Sequence, residues 1–414
     1  MFMSLSLPSQ QQDRSRILDI LRGIALLGII LANYPVVSLW VFQGPPVWQT
    51  MPTAAIDMPL GFFHYMFIDG KFYTLFSLLF GIGFSIILLN AQKRNANGLA
   101  VFYRRLFILL LVGLFHSFFI WVGDILLLYA LVGMLLPLFR NVADKKLLII
   151  AAILILCPLL VDSVRVLSKD AIHFAAPISK VQAAMEADIN LTDANFPTWL
   201  VDHKTYSELF RFNTAEFFMR WSMLLNSNRP LKVLGIFILG LYVGRKLIYA
   251  RLEENKALLK RIRLWGFIIG LPISVCYAFA ELMGPRLPDA GALLNTASYA
   301  FSVVPLSLAY TSTICLWYLK NRDSKVLNVF AAPGRMALTN YLLQSVIGIT
   351  IFYGIGFELG AKTGLAYVLL IAIGVYILQM IYSHLWLRYF NYGPFEWIWR
   401  MLTYGKVLEL RRRN

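Results

Sequence analysis

Ten stretches of this chain are too long and too apolar to stand in water, and that feature limits the fold more than any motif does. Backbone amides and carbonyls inside hydrocarbon must bond within their own segment, so such runs mean helices. The predicted spans fall at about 17–41, 72–91, 103–122, 124–139, 146–164, 231–249, 264–283, 297–319, 336–357 and 365–387. The fourth and fifth are short for a full crossing, which points to a tilted or partly re-entrant course. The first apolar run, Gly23 to Phe42, carries no small-residue cleavage site and reads as a retained span. The expected fold is therefore all-α: one polytopic integral membrane helical bundle over residues 1–414. Composition agrees, at 59% hydrophobic and 14% charged residues. Soluble domains run near 45–50% and about 25%.

A net charge of +16 is compatible with a nucleic-acid partner, but the placement of the charges argues otherwise. Lys and Arg cluster between the apolar runs. With the N-terminus inside, 27 of the 38 basic residues fall in cytoplasmic segments, from Arg14, Arg16 and Arg22 to the group from Arg388 onward. Both termini are expected to be cytoplasmic, in a bacterial inner (plasma) membrane, with the lipid bilayer and no nucleic acid as partner. Cys157, Cys276 and Cys315 each lie in a predicted span and show neither metal-ligand nor disulfide spacing, so no metal is expected.

Two segments stand outside the spans. Residues 165–230 form an extracytoplasmic loop or small helical subdomain. Within it, Tyr206 to Leu225 reads as an amphipathic helix carrying Phe210, Phe217, Phe218 and Trp221, either lying on the membrane or capping the bundle. Residues 388–414 form a cytoplasmic juxtamembrane tail rich in aromatic and basic side chains, with Glu396 and Arg400 one helical turn apart.

Ionisable groups within spans are expensive and each marks a candidate site. Arg16, Asp19 and Arg22 recur at three-residue spacing and share a helix face. They form either an ion-paired anchor or a cationic cluster for an anionic group such as phosphate. Asn33 adds a polar group deeper in the same span. Arg104 and Arg105 open the third span, His116 lies within it, and Asp124 follows Gly123 at its outer turn. A neutral imidazole serves as general base near neutral pH when a carboxylate fixes its tautomer. Eight residues on one straight helix separate by about 12 Å, so His116 and Asp124 meet only if the chain turns at Gly123. A buried histidine bonded to a neighbouring carbonyl is the competing account. His64, close to Asp69 and Lys71, ranks second, with interfacial solvation as its simpler explanation. His384 reads as structural, while His173 and His203 read as solvated loop residues. In the ninth span Asn340 and Gln344 share a face near Arg335, Thr339 and Ser345, fitting either interhelical hydrogen bonding or the wall of a polar cavity.

These residues carry a resemblance. Arg16-x-x-Asp19-x-x-Arg22-Gly23-Ile24-Ala25 with Gly28-Ile29 and Asn33 resembles the opening helix of the YeiB-like bacterial membrane proteins. It continues through Gly70-Lys71-Phe72, Leu75 to Gly83, His116 with Gly123-Asp124-Ile125-Leu126, and Gly334-Arg335 to Gln344-Ser345. It closes on Gly393-Pro394-Phe395-Glu396-Trp397-x-Trp399-Arg400-x-x-Thr403-Tyr404-Gly405, so the blocks span nearly the whole chain outside the 165–230 loop. The resemblance places the chain beside the transmembrane acyltransferases, which move an acyl group from a cytosolic donor, commonly acyl-CoA, to an acceptor on the far side. A histidine is central to that chemistry. Asn33 stands about where the O-acyltransferases have theirs, which shifts the role to another histidine, His116 first.

Two functions follow as expectations. In the first, a membrane acyltransferase, Arg16, Arg22, Arg104 and Arg105 hold an acyl-CoA donor. His116 acts as base or acyl carrier, Asp124 orients it, and the acceptor is a cell-envelope glycan or lipid. Asp19, Asn33, Arg335, Asn340, Gln344, Glu396 and Arg400 would line the substrate cavity. The alternative is a transporter or permease for a small polar or anionic solute.

Overall fold

The computed structural model describes residues 15–172 and 175–412, so His173 and Arg14 lie outside the described part. Apart from shorter turns, its helices run α1 Arg16–Val37, α2 Ala54–Phe67, α3 Lys71–Lys93, α4 Gly98–Phe119, α5 Leu126–Gly133, α6 Asp144–Leu167, α7 Ala176–Asp188 and α8 Phe196–Asp202. They continue as α9 Tyr206–Asn226, α10 Arg229–Arg245, α11 Lys256–Met283, α12 Leu293–Lys320, α13 Ala331–Arg335, α14 Ala337–Phe352, α15 Leu365–Tyr389 and α16 Pro394–Tyr404. The described residues hold no strand, only one antiparallel bridge between Phe390 and Arg411.

Among the described residues seven helical stretches are long and apolar enough to cross a membrane: α1, the run Ala54–Lys93 that joins α2 and α3, α4, α6, α11, the run Ala290–Lys320 that contains α12, and α15. The other three predicted spans are shorter than expected. The 124–139 run breaks into the eight residues of α5 and a 3-10 turn at Leu136–Phe139, because Pro137 removes a donor there. The 231–249 run is the 17-residue α10, and 336–357 is the 16-residue α14. The 146–164 run, expected to be short, is a 24-residue helix: its polar end continues past the apolar stretch, where Arg165 Nε bonds Asp170 Oδ1 at 2.7 Å.

Helix α1 is the hub, packing against α3, α13, α14 and α15, while α11 and α12 form a hairpin and α10 lies between α3 and α6. Two close approaches set this arrangement. At the crossing of α3 and α10, a Cβ on Gly81 or on Gly240 would collide with a carbonyl oxygen of the other helix. At one end of α1, Gly23 and Gly334 let the short α13 lie against α1; a Cβ on Gly334 would strike the Asp19 carbonyl oxygen. That contact brings Arg335 to the Arg22 end of the bundle.

The segment 165–230 caps the bundle. Its main helix α9 opens with a reciprocal capping box between Thr205 and Glu208. Asn213 Nδ2 donates to the carbonyls of Phe118 and Ile120, each at 3.3 Å, and the Tyr206 hydroxyl donates to the Phe119 carbonyl at 2.6 Å. A helix leaves its last carbonyls without partners, and here α9 supplies donors to those of α4. Phe217 stacks on Phe118 with ring centroids 4.7 Å apart, which seats the aromatic face of α9 on protein. The tail helix α16 docks at the opposite end of α4, where Trp399 Nε1 donates to the Arg105 carbonyl at 3.0 Å.

Candidate functional site

A cavity of about 750 Å³ runs inside the bundle, lined along α1 from Leu18 through Leu26 and Ile29 to Asn33 and Val36. At 1.5 Å per residue, the described length of α1 corresponds to about 30 Å, the thickness of a bilayer's hydrocarbon. The middle wall is apolar, with Phe72, Phe76, Leu79, Phe80, Phe84, Leu106 and Leu109. Both ends are polar.

At one end four arginines line the cavity: Arg22, Arg105, Arg335 and Arg400. Arg22 Nη1 pairs with Asp19 Oδ1 at 2.6 Å, and Asp19 is itself buried. The Arg105 guanidinium lies 3.9 Å from the centroid of Trp399, and Arg400 lies 5.0 Å from that of Tyr392. Arg335 Nη2 donates to the Asn391 carbonyl at 3.2 Å. Glu396 also lines this end, but its oxygens are engaged. Oε1 accepts from the amides of Leu338 and Thr339 at 2.6 and 3.1 Å, and Oε2 from the Thr339 hydroxyl at 2.6 Å. Glu396 thus caps the N-terminus of α14 from another helix. Burial pushes its carboxyl up, with the Thr339 and Leu338 donors pulling it back.

His116 lies beside the cavity, fully buried, with both ring nitrogens engaged. Helix α4 ends at Phe119 and the chain reverses over Ile120–Gly123, with the amides of Ile120 and Trp121 both donating to the His116 carbonyl at 3.0 and 2.8 Å. The reversal places Asp124 Oδ2 2.9 Å from His116 Nδ1. Asp124 Oδ1 accepts from the Leu127 amide at 2.7 Å and so caps the start of α5. On the other side, Ser345 Oγ of α14 is 2.9 Å from His116 Nε2. With Asp124 ionised, Nδ1 carries the proton and donates to Oδ2, which leaves Nε2 to accept the Ser345 hydroxyl. Hydroxyl, imidazole and carboxylate in this order can serve chemically as a nucleophile, a base and its orienting group. Tyr341 separates the triad from the cavity: it lines the cavity, and its ring lies 5.2 Å from that of His116.

With this geometry in place, comparison with known proteins defines the family. The chain is similar to the uncharacterized protein YxaH of Bacillus subtilis (strain 168), at 33% identity over 411 residues and 97% of each chain. The chain belongs to the YeiB-like family. It is 28% identical to the uncharacterized protein YeiB of Escherichia coli (strain K12), over 94% of this chain and 96% of that one. An uncharacterized 39.9 kDa protein in the amylase 3'region of Bacillus acidopullulyticus matches at 27% over 97% of both. The family model described as a protein of unknown function (DUF418) matches residues 243–406, a stretch that holds Arg335, Ser345, Glu396 and Arg400.

In this YeiB-like chain the expected cationic cluster divides. Arg22 and Arg105 reach the cavity, whereas Arg16 is exposed and Arg104, also exposed, donates to the Leu402 carbonyl at 3.2 Å. Arg335 and Arg400 take their places. Asn33 lines the cavity. Asn340 and Gln344, considered as cavity lining, do not reach it. Asn340 Nδ2 donates to Ser383 Oγ at 3.0 Å and Gln344 Nε2 to Gln379 Oε1 at 3.0 Å, so both hold α14 to α15. Their shared face points at α15 because Gln379 and Ser383 repeat the same four-residue spacing there. His64 Nε2 is 3.2 Å from the Leu31 carbonyl, on a different helix from His116 and outside the cavity wall.

The opposite end of the cavity carries residues that sequence reading missed. Arg220, Arg229, Lys232, Asp69, Asp162, Tyr73, Tyr277 and Tyr299 all line it. Arg229 and Lys232 open an apolar run, where basic residues ordinarily read as interface anchors. The one available signal was that they fall on the side where the charge rule expects few cations.

Proposed function

We propose that this YeiB-like protein is a membrane-embedded acyltransferase, moving an acyl group from a cytosolic acyl-CoA-like donor to a cell-envelope glycan or lipid on the far side. The polarity of the cavity carries this reading: arginines at one end, hydrocarbon along the middle. An acyl-CoA presents the same order, phosphates first and a thioester-linked chain beyond. Arginine offers paired N–H donors to phosphate oxygens, and the apolar wall favours an acyl chain at about 25 cal/mol per Å² buried. Arg22, Arg105, Arg335 and Arg400 are the donor-binding residues in this account.

His116 Nε2 is the base. As a hydroxyl oxygen, of Ser345 or of the acceptor, forms its bond to the acyl carbonyl carbon, Nε2 takes its proton. The C–S bond then breaks and the thiolate leaves with a proton from the imidazolium. Tyr341 is the side chain that must turn for the cavity to reach His116. In this reading the Arg22 end faces the cytoplasm of a bacterium, in the inner membrane. The short helices α5, α10 and α14 complete ten crossings, and both termini are cytoplasmic, as the distribution of basic residues supports.

The test is transfer of labelled acetate from acetyl-CoA to envelope material in membranes holding wild type or His116→Ala. Loss of transfer in the variant is expected. Unchanged transfer overturns the catalytic assignment.

One observation favours a second reading, a transporter or permease for a small polar or anionic solute: the cavity runs along the length of α1. Its apolar middle weighs against that role, because a small polar solute would shed water there without gaining a partner. Solute uptake into proteoliposomes that is indifferent to His116→Ala would favour transport.

A further inference from the structure

Three cations at the far end of the cavity lack what buried cations ordinarily have. Among the described residues no carboxylate lies within ion-pair distance of Arg220, Arg229 or Lys232. Lys232, only 9% exposed, has its Nζ 4.1 Å from the centroid of the Tyr299 ring. The Arg229 guanidinium lies 4.5 Å from the Tyr73 centroid, and its Nε is buried without a partner. Arg220 gives Nη2 to the Asp124 carbonyl at 3.3 Å, and its Nε too is buried without a partner. The acids lining this end are committed elsewhere: Glu281 pairs with Arg286 at 3.1 Å, and Asp69 and Asp162 are held by neutral donors. Asp69 accepts the Tyr277 hydroxyl at 2.5 Å, and Asp162 accepts Asn228 Nδ2 at 3.0 Å and the Thr296 hydroxyl at 2.7 Å.

Such an arrangement is costly without a counter-charge. The three cations repel one another, and an aromatic face recovers less than the loss of hydration takes away. An oxyanion in the cavity would accept from the N–H groups and offset the positive charge at once, and tetrahedral or planar oxyanions suit two guanidinium groups and an ammonium.

We propose that Arg220, Arg229 and Lys232 form a second anion-binding site, for a phosphate-type oxyanion carried by a lipid headgroup or by free phosphate. The cavity then has one anion site at each end, separated by its apolar middle. This inference stands on the three cations and not on acyl transfer, so either can fail without the other.

The experiment uses the full-length protein in detergent, with binding of inorganic phosphate and of phosphatidylglycerol in mixed micelles each measured by calorimetry. Diacylglycerol is the uncharged control. Lys232→Met and Arg229→Gln are each expected to weaken binding about tenfold or more, the loss of one charge-assisted contact. Ligand-free Lys232→Met is expected to melt above wild type, because it removes a buried cation that has no carboxylate within ion-pair distance among the described residues. Binding of phosphate supports a free-anion site, and binding of phosphatidylglycerol alone supports a headgroup site. Absence of binding by either probe at millimolar concentration overturns the proposal, as does equal binding in wild type, Lys232→Met and Arg229→Gln.

Discussion

Replacing Glu396 by alanine removes the acceptor for two backbone amides and one hydroxyl at the start of α14, those of Leu338 and Thr339. The Thr339 hydroxyl can turn to another acceptor, but the amides cannot. Each buried amide left without a partner costs about 1–3 kcal/mol. Loss of a negative charge at a helix N-terminus adds up to about 1 kcal/mol. The expected destabilisation is about 3–5 kcal/mol for Glu396→Ala. Glu396→Gln keeps one acceptor oxygen and loses the charge, for about 1–2 kcal/mol. Equilibrium unfolding in mixed dodecylmaltoside–SDS micelles, followed by tryptophan fluorescence, reads both. An alanine variant within about 0.5 kcal/mol of wild type, below the net worth of one hydrogen bond, refutes the capping role. So does a glutamine variant as damaged as the alanine one.

Further perturbations probe other parts of the account. Asp124→Asn keeps the shape but loses the charged acceptor for His116 Nδ1 and the Leu127 amide; unfolding in the same micelles should show a loss of about 1.5–3 kcal/mol. Gly334→Ala drives a methyl into the Asp19 carbonyl, and since that neighbour is backbone the expected cost is about 1–3 kcal/mol, read as a lower melting temperature. Burial, followed by the neighbouring Glu186, pushes the Glu216 carboxyl of α9 up to about 8. Between its ordinary range and pH 8 the folded protein keeps a proton that the unfolded chain releases. Stability should therefore fall as pH rises through that window, by at most about 1.4 kcal/mol per unit. Glu216→Gln should flatten the dependence in a pH series of melting curves, and an unchanged slope contradicts the assignment.

The seven long spans were legible because length and apolarity alone decide them. The three short helices were not, since apolar runs do not reveal where proline or a turn interrupts a crossing. The meeting of His116 with Asp124 was legible as a condition, a reversal at Gly123, and the structure meets it. The bond from Ser345 was not, because 229 residues separate it from His116 and no spacing rule reaches that far. Asn340 and Gln344 showed their shared face in the sequence, but which helix lay opposite needed the fold. The cations at Arg220, Arg229 and Lys232 were hidden for the same reason: on a linear chain they straddle the boundary between a loop and a span.

The central claim is that the arginine end of the cavity holds an acyl-CoA-like donor. Calorimetry of coenzyme A and acetyl-CoA against the detergent-purified protein, with Arg22→Ala and Arg105→Ala beside it, tests this most directly. Saturable binding that weakens in both variants, about tenfold each for one charge-assisted contact, is the result the account predicts. No binding at millimolar ligand, or binding indifferent to both substitutions, contradicts it.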